Sequence, residues 1–470
     1  MASPADRLQR NLIPRLVLGL SRVRAPAKLA ARVRRALGRR GDVELWVAFD
    51  DPNSAVALIE LRRRMQGRDV DLVVRPVIAR DIDGDPAVEA KRAHAVEDAR
   101  RLAGRYGMTL TGRRPLDPGS VAFLAEWIAA RAPSEAVTAF AVAAAREIWS
   151  VDRPEAGEDP DGGAGSVTGG RAAAGGASPP LPDRGRFVDL WRNTVGGVPA
   201  EGNREAVVAN ERRMRRCGAY AVPMASVHGR LFFAHDRLDA IERELDLLGW
   251  RAREGAPDRA GVDGGTVAAP DGRPDRRPLD FYFSYRSPYS YLAAPRAFAL
   301  ADRFAVDVRF HGVIPMAMRG QSVPRAKRLH TIRDVGREAE ALGMPFGPMW
   351  DPIGDGARRC LAVGILATDR GLEREWALAV SRAIWSEAAD VVDDAVLRPI
   401  CESVGLDWGE CVAAIADPAV AARIEADTER LVAMGQWGVP VFVFDGQVHW
   451  GQDRIADLEA SLTAAGLGLA

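Results

Sequence analysis

A serine and a proline at the start of a predicted helix are the residues of this sequence best suited to chemistry. Ser287 and Pro288 follow a stretch, Phe281 to Tyr285, in which aromatic residues alternate, and this alternation predicts a short strand. Pro288 suits the first helical position, where its missing N–H leaves no hydrogen bond unmade. The Ser287 hydroxyl then lies at the positive end of a helix, where a thiolate or another anion is stabilised. The motif Ser-Pro-Tyr-Ser therefore has the frame of a Cys-Pro-Tyr-Cys redox turn without its thiols.

Two pairs of residues further along the chain suit the binding of an acid. Lys327 and His330 lie one turn apart on one face of a predicted helix, so both can approach the same carboxylate. Arg454 is well suited to a carboxylate, and Asp453 beside it is either part of the same site or the cap of the last helix. For Lys327 and His330, the alternative is that they lie on a solvated or structural face of the helix. For Ser287, the alternative is that it only caps the helix, because serine is a preferred N-cap residue.

Length and composition limit the classes of protein that fit. The chain has 470 residues, of which 47% are hydrophobic, so about two to four domains with apolar cores are expected. Its 64 basic and 64 acidic residues cancel, which argues against a nucleic-acid partner. The four cysteines form no C-x-x-C and no zinc spacing, so no metal is expected, and scattered thiols fit the cytoplasm. The sequence has no run of about 18 apolar residues, so no membrane insertion is expected.

The N-terminal segment 1–42 is basic and has apolar residues at helical spacing. The segment holds eleven Lys and Arg residues against two Asp, and Leu12, Leu16 and Leu20 recur every fourth residue. Its apolar stretch, Leu16 to Leu20, is too short for a signal peptide or an anchor. Two interpretations stay open: contact with a membrane surface or nucleic acid, and, preferred, an extension that packs one apolar face on the body of the protein.

The strand-turn-helix pattern around Ser287 occurs a second time, earlier in the chain. Asp51-Pro52-Asn53-Ser54 aligns with the Ser-Pro-Tyr-Ser turn, and Val222-Pro223 aligns with Val439-Pro440 at a smaller offset. Agreement over about a hundred positions predicts an internal duplication. The first copy has Asp51 in place of Ser287, and a carboxylate repels a thiolate, so the first copy is predicted to be degenerate.

Each copy has the same predicted order of elements. In the second copy, a strand at 279–285, a helix at 289–303 and a strand at 306–314 form a β-α-β unit with parallel strands. A helical insert follows, with predicted helices at 324–342, 357–369, 373–387, 392–404 and 418–434. A hairpin and a last helix close the copy, at 441–444, 447–450 and from about 454. This is the thioredoxin framework, so the predicted fold class is α/β, with two tandem thioredoxin-like domains that each contain an inserted helical subdomain.

The predicted domains follow from these patterns. A basic amphipathic extension, 1–42, precedes a degenerate thioredoxin-like domain at 43–250, which contains a glycine-rich flexible loop at 156–185. A linker rich in glycine, proline and charge, 251–278, separates it from the second thioredoxin-like domain at 279–470. Each domain has a normal size of about 200 residues.

The second copy resembles the DsbA-like branch of thioredoxin folds, and most of all the 2-hydroxychromene-2-carboxylate isomerases and their kappa-class glutathione transferase relatives. Three motifs carry the resemblance: the Ser-Pro-Tyr-Ser turn, the predicted helix from Pro324 with Lys327, Asp334 and Arg337, and Gly-Val-Pro-Val-Phe-Val from Gly438 followed by Trp-Gly-Gln-Asp-Arg from Trp450. The resemblance covers residues 279–466 well, and residues 43–250 more weakly through the repeat.

The resemblance implies glutathione as the cofactor. It places Ser287 at the glutathione sulfur and Val439, which precedes a cis Pro440, along the glutathione backbone. It assigns the glutamyl end of glutathione to three consecutive residues: Gln452, Asp453 and Arg454. Two departures leave the substrate open: Gln321 is the nearest match to the family's loop Asn, and His330 stands where many members have Tyr.

The implied function is that of a glutathione-dependent cis-trans isomerase of the 2-hydroxychromene-2-carboxylate type, in cytoplasmic degradation of aromatic compounds. A thiolate would add to a small aromatic or electrophilic acid, bond rotation would follow, and elimination would release the thiolate. The alternatives are a kappa-type glutathione transferase, a non-catalytic binder of glutathione or a small acid, and, less favoured, a thiol–disulfide oxidoreductase. Because members of the family often form homodimers, the degenerate copy is expected to serve as an internal partner, with a homodimer as the alternative.

Overall fold

The computed structural model describes residues 8–79, 88–112, 115–152, 183–253, 275–321 and 323–469 of the chain. The predicted flexible loop 156–185 and the predicted linker 251–278 lie mostly outside these ranges, so both stay predictions. Within the described ranges, no helix is both long and apolar enough to cross a membrane.

The described elements up to residue 253 are two helices followed by a four-stranded sheet with helices around it. In chain order they are α1 (Ile13–Arg22), α2 (Ala25–Ala36), β1 (Gly41–Val47), α3 (Pro52–Met65), β2 (Val70–Pro76), α4 (Val88–Arg105), β3 (Thr109–Leu110), α5 (Pro118–Ala129), α6 (Glu135–Trp149), β4 (Val151–Asp152), α7 (Arg184–Thr194), α8 (Arg204–Cys217), β5 (Met224–Val227), β6 (Arg230–Phe233) and α9 (Leu238–Leu248). The strand order is β2-β1-β5-β6, in which β1 runs parallel to β2 and antiparallel to β5. The short strands β3 and β4 pair separately.

The elements from residue 275 onward form a second four-stranded sheet with a larger helical insert. In chain order they are β7 (Arg277–Phe283), α10 (Pro288–Arg303), β8 (Val306–Gly312), α11 (Arg325–Ala341), α12 (Asp355–Asp369), α13 (Glu373–Ser386), α14 (Asp394–Ser403), α15 (Trp408–Ala416), α16 (Pro418–Ala433), β9 (Val441–Phe444), β10 (Gln447–Trp450) and α17 (Ile455–Ala464). The strand order is β8-β7-β9-β10, with β7 parallel to β8 and antiparallel to β9. The β-α-β unit, the hairpin and the final helix thus occur in the predicted order.

The helical insert contains one helix that the sequence patterns did not predict. The five predicted helices correspond to α11, α12, α13, α14 and α16, with ends that differ by at most two residues. The additional helix, α15, is only nine residues long and lies between Gly405 and Asp417. Its start is fixed by Asp407, whose carboxylate accepts a hydrogen bond from the Glu410 amide at 2.9 Å. A short helix bounded by turn residues resembles a loop in sequence, because its apolar face has too few repeats.

The two sheets match strand for strand. β1 and β7 are separated along the sequence by the same interval as β2 and β8, whereas β5 and β9 are separated by a shorter one. α3 and α10 both begin at a proline, Pro52 and Pro288. The X-Pro bond that precedes the third strand is cis in both sheets, at Val222-Pro223 and Val439-Pro440. Equivalent residues of the two sheets can therefore serve as controls for each other.

Aromatic side chains of β7 anchor the strand that leads to Ser287. Phe281 is fully buried and stacks on Phe442 of β9, with ring centroids 4.8 Å apart. Phe283 continues the cluster and meets Tyr285 edge-on at 5.0 Å. Such aromatic pairs add about 0.5–1.5 kcal/mol beyond the burial of their surface. The end of β7, and with it the following turn, is therefore held firmly in the core.

Packing divides the described chain into two compact units. One comprises residues 8–24, 88–90 and 275–469, and the other comprises residues 25–79 and 91–253. The predicted extension 1–42 is thus divided between the units.

The N-terminal helix α1 belongs to the unit that contains the second sheet. Leu18 of α1 is only 4% exposed and lies against Gly336 and Gly347 of that unit, where an added Cβ at either glycine would overlap it. Pro14 is also buried. Helix α1 therefore uses one apolar side to pack on the protein, as the preferred interpretation of this segment expects.

A histidine on the second sheet lies between two carboxylates. His311 of β8 is 2.9 Å from an Asp280 oxygen and 3.0 Å from an Asp427 oxygen. Burial disfavours a charged imidazole, but the hydrogen bonds to Asp280 and Asp427 outweigh it and raise the pKa of His311 above its usual range. A raised pKa in the folded state means that this cluster stabilises the protein fully below the unfolded pKa of histidine. That contribution is lost as the pH rises through the folded pKa.

The first sheet has a permanently charged version of the same cluster. Arg75 stands at the position equivalent to His311, and its Nε donates to Glu44 at 2.6 Å. Arg213 also donates to Glu44, at 2.8 Å. An arginine remains charged at every pH at which the protein is folded. Only the second sheet therefore contains a histidine-dependent ion pair at this position.

Candidate active site

Ser287 is the N-cap of α10 and also contacts the cis-proline segment. Its Oγ accepts a hydrogen bond from the Ser290 amide at 3.1 Å and donates to the Val439 carbonyl at 3.1 Å. Its backbone is extended (φ −97°, ψ 111°), as an N-cap requires. The side chain is half-buried, so a ligand can reach the hydroxyl. Ser287 thus has the predicted capping role, and its only donated proton points toward the segment expected to hold a ligand.

The segment before Pro440 has an unused backbone donor. The Val439–Pro440 bond is cis, as the resemblance implied. The Val439 carbonyl accepts from Ser287, but its amide donates to no acceptor among the described residues. Val439 is half-buried rather than enclosed. An extended ligand backbone can therefore pair with both polar groups of Val439, in the manner of an added strand.

The three residues expected to hold the glutamyl end form a single 3₁₀ turn, Gln452–Arg454, before α17. Gln452 is buried, and its side-chain oxygen accepts from Arg296 of α10 at 2.8 Å. Arg454 is also buried, with Nε 3.8 Å from Asp457. Asp453 accepts a hydrogen bond from the side-chain amide of Gln452. It is half-buried, so it is the member of the turn with surface open to a ligand.

The position of α17 argues against the helix-cap alternative for Asp453. The helix begins at Ile455, its N-cap is Arg454, and no side chain caps it. A capping aspartate would have to occupy the N-cap position itself. Asp453 lies one residue earlier, so its carboxylate is not used for that purpose. A role of Asp453 in binding the glutamyl end of glutathione stays a prediction.

Helix α11, which carries the predicted substrate residues, contacts the Ser-Pro-Tyr-Ser turn through Asp334. The Tyr289 hydroxyl, from that turn, donates to Asp334 of α11 at 2.9 Å. Asp334 is fully buried, and Arg337 donates to its other oxygen at 3.0 Å. Lys327 is half-buried, whereas His330 is 2% exposed. Of the two, Lys327 is the better placed to meet a ligand, and His330 lies within the protein.

An arginine that the sequence analysis missed lies in the loop after β8. The Arg319 Nη2 donates to the Trp437 carbonyl at 2.8 Å, two residues before the carbonyl that Ser287 contacts. No carboxylate within the described ranges forms an ion pair with Arg319. Burial lowers the pKa of Arg319 from its usual range. A partly buried guanidinium without a counter-ion is a favourable place for a carboxylate.

The sequence contained a weak signal for this arginine. The loop reads Pro-Met-Ala-Met-Arg-Gly-Gln from Pro315 to Gln321, and a lone arginine follows two methionines. Arg319 lies only two residues before Gln321, the nearest match to the family's loop Asn. Only the folded chain shows that this loop meets the Trp437–Pro440 segment.

The bond between Arg286 and Asp351 also escaped the sequence analysis. Arg286 directly precedes Ser287 and forms a two-pronged ion pair with Asp351, at 2.8 and 2.9 Å. Such a planar pairing fixes both side chains. The ion pair connects the Ser-Pro-Tyr-Ser turn to the loop before α12 and keeps the backbone around Ser287 in place.

Asp51 occupies the position equivalent to Ser287 in the first sheet. It is the N-cap of α3, and its carboxylate accepts from the Ser54 amide at 2.8 Å and from the Ser54 hydroxyl at 2.5 Å. Asp51 is buried. A carboxylate has no proton to give to a thiolate, so this turn has the frame of the other without its chemistry. No group of His, Cys, Asp and Glu that could hold a metal ion occurs in the described part of either sheet or its helices.

Comparison with known proteins places the C-terminal half of the chain in a family of folds. A family model described as a DSBA-like thioredoxin domain matches residues 278–463. The 2-hydroxychromene-2-carboxylate isomerase of Sphingobium xenophagum is 26% identical over 194 residues, which cover 39% of this chain and 97% of the relative. The protein of the same name from Pseudomonas putida is 26% identical over 195 residues, or 39% and 93% of the two chains.

Three solved structures each match about 40% of this chain, one of an isomerase and two of redox proteins. A 2-hydroxychromene-2-carboxylate isomerase has 21% identity and a TM-score of 0.36, and covers 40% of this chain and 95% of its own. A probable DsbA oxidoreductase from Streptomyces coelicolor has 24% identity and a TM-score of 0.33, with 40% and 89% covered. A cytosolic disulfide reductase from Pseudomonas aeruginosa has 23% identity and a TM-score of 0.30, with 40% and 99% covered. The C-terminal half of this chain carries a DsbA-like thioredoxin domain.

Proposed function

We propose that the DsbA-like domain binds glutathione at Ser287 and Val439 and isomerises a small aromatic acid of the 2-hydroxychromene-2-carboxylate type. The observation that carries the proposal is the Ser287 hydroxyl, which caps α10 and donates to the carbonyl of Val439, whose own amide has no acceptor in the described chain. The similarity to isomerases over nearly their whole length supports this choice of reaction.

The residues around Val439 fit the backbone of a peptide ligand. Its carbonyl now accepts from Ser287 at 3.1 Å. A ligand N–H can replace that donor, and the Val439 amide can donate to a ligand carbonyl in the same strand-like pairing. The Ser287 hydroxyl is then released and can donate to a ligand sulfur. Binding of the ligand backbone at Val439 and stabilisation of the ligand sulfur by Ser287 are thus coupled through the Ser287–Val439 hydrogen bond.

Glutathione, when bound, would supply a thiolate that adds to a conjugated double bond and departs after rotation, with no net change of electrons. The chain has to hold that sulfur in its ionised form. The Ser287 hydroxyl donates to it, and the N-terminus of α10 adds a favourable potential. Arg319 is placed to pair with the carboxylate of the acid, because its guanidinium has no ion-pair partner in the described chain.

The cysteines of the domain argue against a thiol–disulfide reaction. Cys360, Cys401 and Cys411 are buried, and burial raises the pKa of each thiol. A buried neutral thiol is a poor nucleophile. None of the three lies in the Ser-Pro-Tyr-Ser turn. This supports the proposal that the reacting sulfur belongs to a ligand.

The first sheet is proposed to be a degenerate copy from a tandem duplication. The matching strand order, the shared offsets and the two cis prolines support a common origin. Asp51 in place of Ser287 removes the donor that a thiolate requires. This copy is then a structural partner of the competent one, in a protein of cytoplasmic aromatic degradation.

Ionisation of bound glutathione tests the proposal. The ultraviolet absorbance of the thiolate, followed against pH with protein in excess, should show a pKa below the free value of about 8.5. Aryl acids of the chromene type should then change their absorbance spectra only when both glutathione and protein are present. An unchanged thiol pKa would rule out the proposed site. A lowered pKa with consumption of glutathione by electrophiles, but no isomerisation, would favour the transferase, and a lowered pKa with no turnover would favour a binding protein.

A further inference from the structure

The N-terminal helices carry a concentration of exposed apolar side chains that the proposed function does not use. Of the fifteen large hydrophobic residues that are exposed in the described ranges, nine lie in the short stretch between residues 8 and 37. They are Leu8, Leu12, Ile13, Leu16, Leu20, Val23, Leu29, Val33 and Leu37. Scattered apolar residues on a surface are ordinary, but a concentrated set indicates a surface that something covers.

Helix α1 has an inner and an outer apolar side. Pro14 and Leu18 point into the protein and are buried. Because an α-helix has about 3.6 residues per turn, Leu16 and Leu20 lie on the opposite side from Leu18. They are 63% and 69% exposed. Packing within the protein therefore accounts for only one side of α1.

Helix α2, considered by itself, shows the same arrangement. Ala31 faces the core and is fully buried. Leu29 and Val33 are four residues apart, which places them along one stripe on the other side of the helix, and Leu37 follows one residue past the helix end. Their exposed fractions are 63%, 49% and 65%. Among the residues that the structure describes, these three side chains stay largely open to solvent.

Basic side chains border both stripes. The N-terminal segment 1–42 holds eleven Lys and Arg against two Asp, although the whole chain has no net charge. Lys28 and Arg32 lie beside the stripe of α2, and Arg15 lies at the edge of that of α1, and all three are exposed. An apolar stripe bordered by Lys and Arg is the pattern of a helix that lies in the interface of an anionic bilayer.

We propose that the outer side of α1 in one unit and the outer side of α2 in the other unit each bind an anionic lipid bilayer, with the leucine and valine side chains below the headgroups and the basic side chains among them. A nucleic acid would neutralise the arginines but would leave the apolar stripes in water. A second copy of the chain would bring two strongly basic surfaces together, which is unfavourable. A lipid surface satisfies both the charges and the apolar side chains. The helices lie in the interface and do not cross the membrane.

Co-sedimentation of the full chain with lipid vesicles tests this proposal. The protein should bind vesicles of phosphatidylcholine mixed with phosphatidylglycerol, should bind vesicles of phosphatidylcholine alone much less, and should dissociate as salt is added. The triple variant Leu12→Ser, Leu16→Ser and Leu20→Ser should bind at least about ten-fold more weakly. Leu247→Ser is the matched control, because Leu247 is an exposed leucine of α9, and this variant should bind as the wild type does.

A second variant separates charge from apolar contact. Lys28→Gln with Arg32→Gln should weaken binding to anionic vesicles about twenty-five-fold, at roughly five-fold for each charge. This pair removes no apolar contact, so it decides the question if the leucine variant does not fold, which circular dichroism would show.

Several outcomes would overturn the proposal. The proposal is wrong if the protein binds neutral and anionic vesicles equally well, or binds neither. It is also wrong if the triple variant is folded and binds as the wild type does. Tight binding to duplex DNA without vesicle binding would assign the surface to nucleic acid. A change from dimer to monomer in the triple variant, again without vesicle binding, would assign it to a second copy of the chain. The thiol pKa of bound glutathione should be the same in every variant, so this test is independent of the proposed function.

Discussion

Replacement of Ser287 by alanine removes two hydrogen bonds that the structure contains and one that the proposed function requires. The two existing bonds are those with the Ser290 amide and with the Val439 carbonyl, each at 3.1 Å. Loss of an N-cap serine costs about 0.5–2 kcal/mol. The variant should therefore be slightly less stable but folded, with the Arg286–Asp351 ion pair still holding the turn.

The effect on the bound thiol should be larger and specific. A hydrogen bond to a charged group contributes about 1.5–3 kcal/mol. Since one pKa unit corresponds to about 1.4 kcal/mol, Ser287→Ala should raise the pKa of bound glutathione by about one to two units. The N-terminus of α10 is unchanged, so the pKa should remain somewhat below that of the free thiol.

Asp51→Ala is the matched control for this experiment. Asp51 caps α3 as Ser287 caps α10, through the Ser54 amide at 2.8 Å. Its loss should lower stability by a similar amount, measured as the free energy of unfolding in urea, and should leave the thiol pKa unchanged. Ultraviolet absorbance of the thiolate against pH gives that pKa in each protein.

Two results would refute the reasoning. Equal thiol pKa values in the wild type and in Ser287→Ala would show that the hydroxyl does not reach the sulfur. Equal shifts in Ser287→Ala and Asp51→Ala would show that the shift follows from a loss of stability rather than from a lost donor.

Three further predictions concern the charged and apolar contacts of the same unit. The wild type should lose thermal stability as the pH rises above about 6.5, because His311 loses its proton and its ion pairs with Asp280 and Asp427 are lost. In His311→Arg the melting temperature should depend less on pH. An identical pH profile for the two proteins would contradict the prediction. Arg319→Gln should raise KM for the acid substrate about ten- to hundred-fold, the equivalent of about 1.5–3 kcal/mol, and should leave glutathione affinity unchanged. Arg309→Gln, on the exposed face of β8, should change neither KM nor glutathione affinity. Equal effects of the two variants on KM would remove Arg319 from the site. Leu18→Ala should lower the free energy of unfolding, measured in urea, by about 2–5 kcal/mol. The double variant with Gly336→Ala should lose less than the sum of the two single losses, because the new methyl group fills part of the cavity. Strict additivity of the two losses would show that Leu18 does not pack on Gly336.

Local sequence signals were sufficient for the elements around the site. The alternating aromatic residues before Ser287 predict β7, and the serine and proline predict where α10 begins, because both signals depend only on neighbours along the chain. The second turn at Asp51 was found in the same way. Helix α15 was missed because nine residues hold too few turns for an apolar period.

The contacts of the site could not be read from the sequence. Asp453 was equally suited to cap a helix or to bind a ligand, and the start of α17 at Ile455 removes the first role. Gln452 was expected to hold the glutamyl end of a ligand, and the sequence did not indicate that its side-chain oxygen accepts a hydrogen bond from Arg296. These outcomes depend on elements that lie far apart in sequence, so no local pattern records them.

The sequence by itself determined the two Pro-containing turns, the loss of the serine in one of them and the basic apolar segment at the N-terminus. These are properties of residue type and spacing. Only the tertiary structure decided that the Ser287 hydroxyl meets Val439, that Arg319 has no counter-ion in the described chain, and that α1 buries Leu18 but leaves Leu16 in solvent. The physical reason is that hydrogen-bond partners, burial and counter-ions belong to pairs of distant segments, and they exist only once the chain has packed.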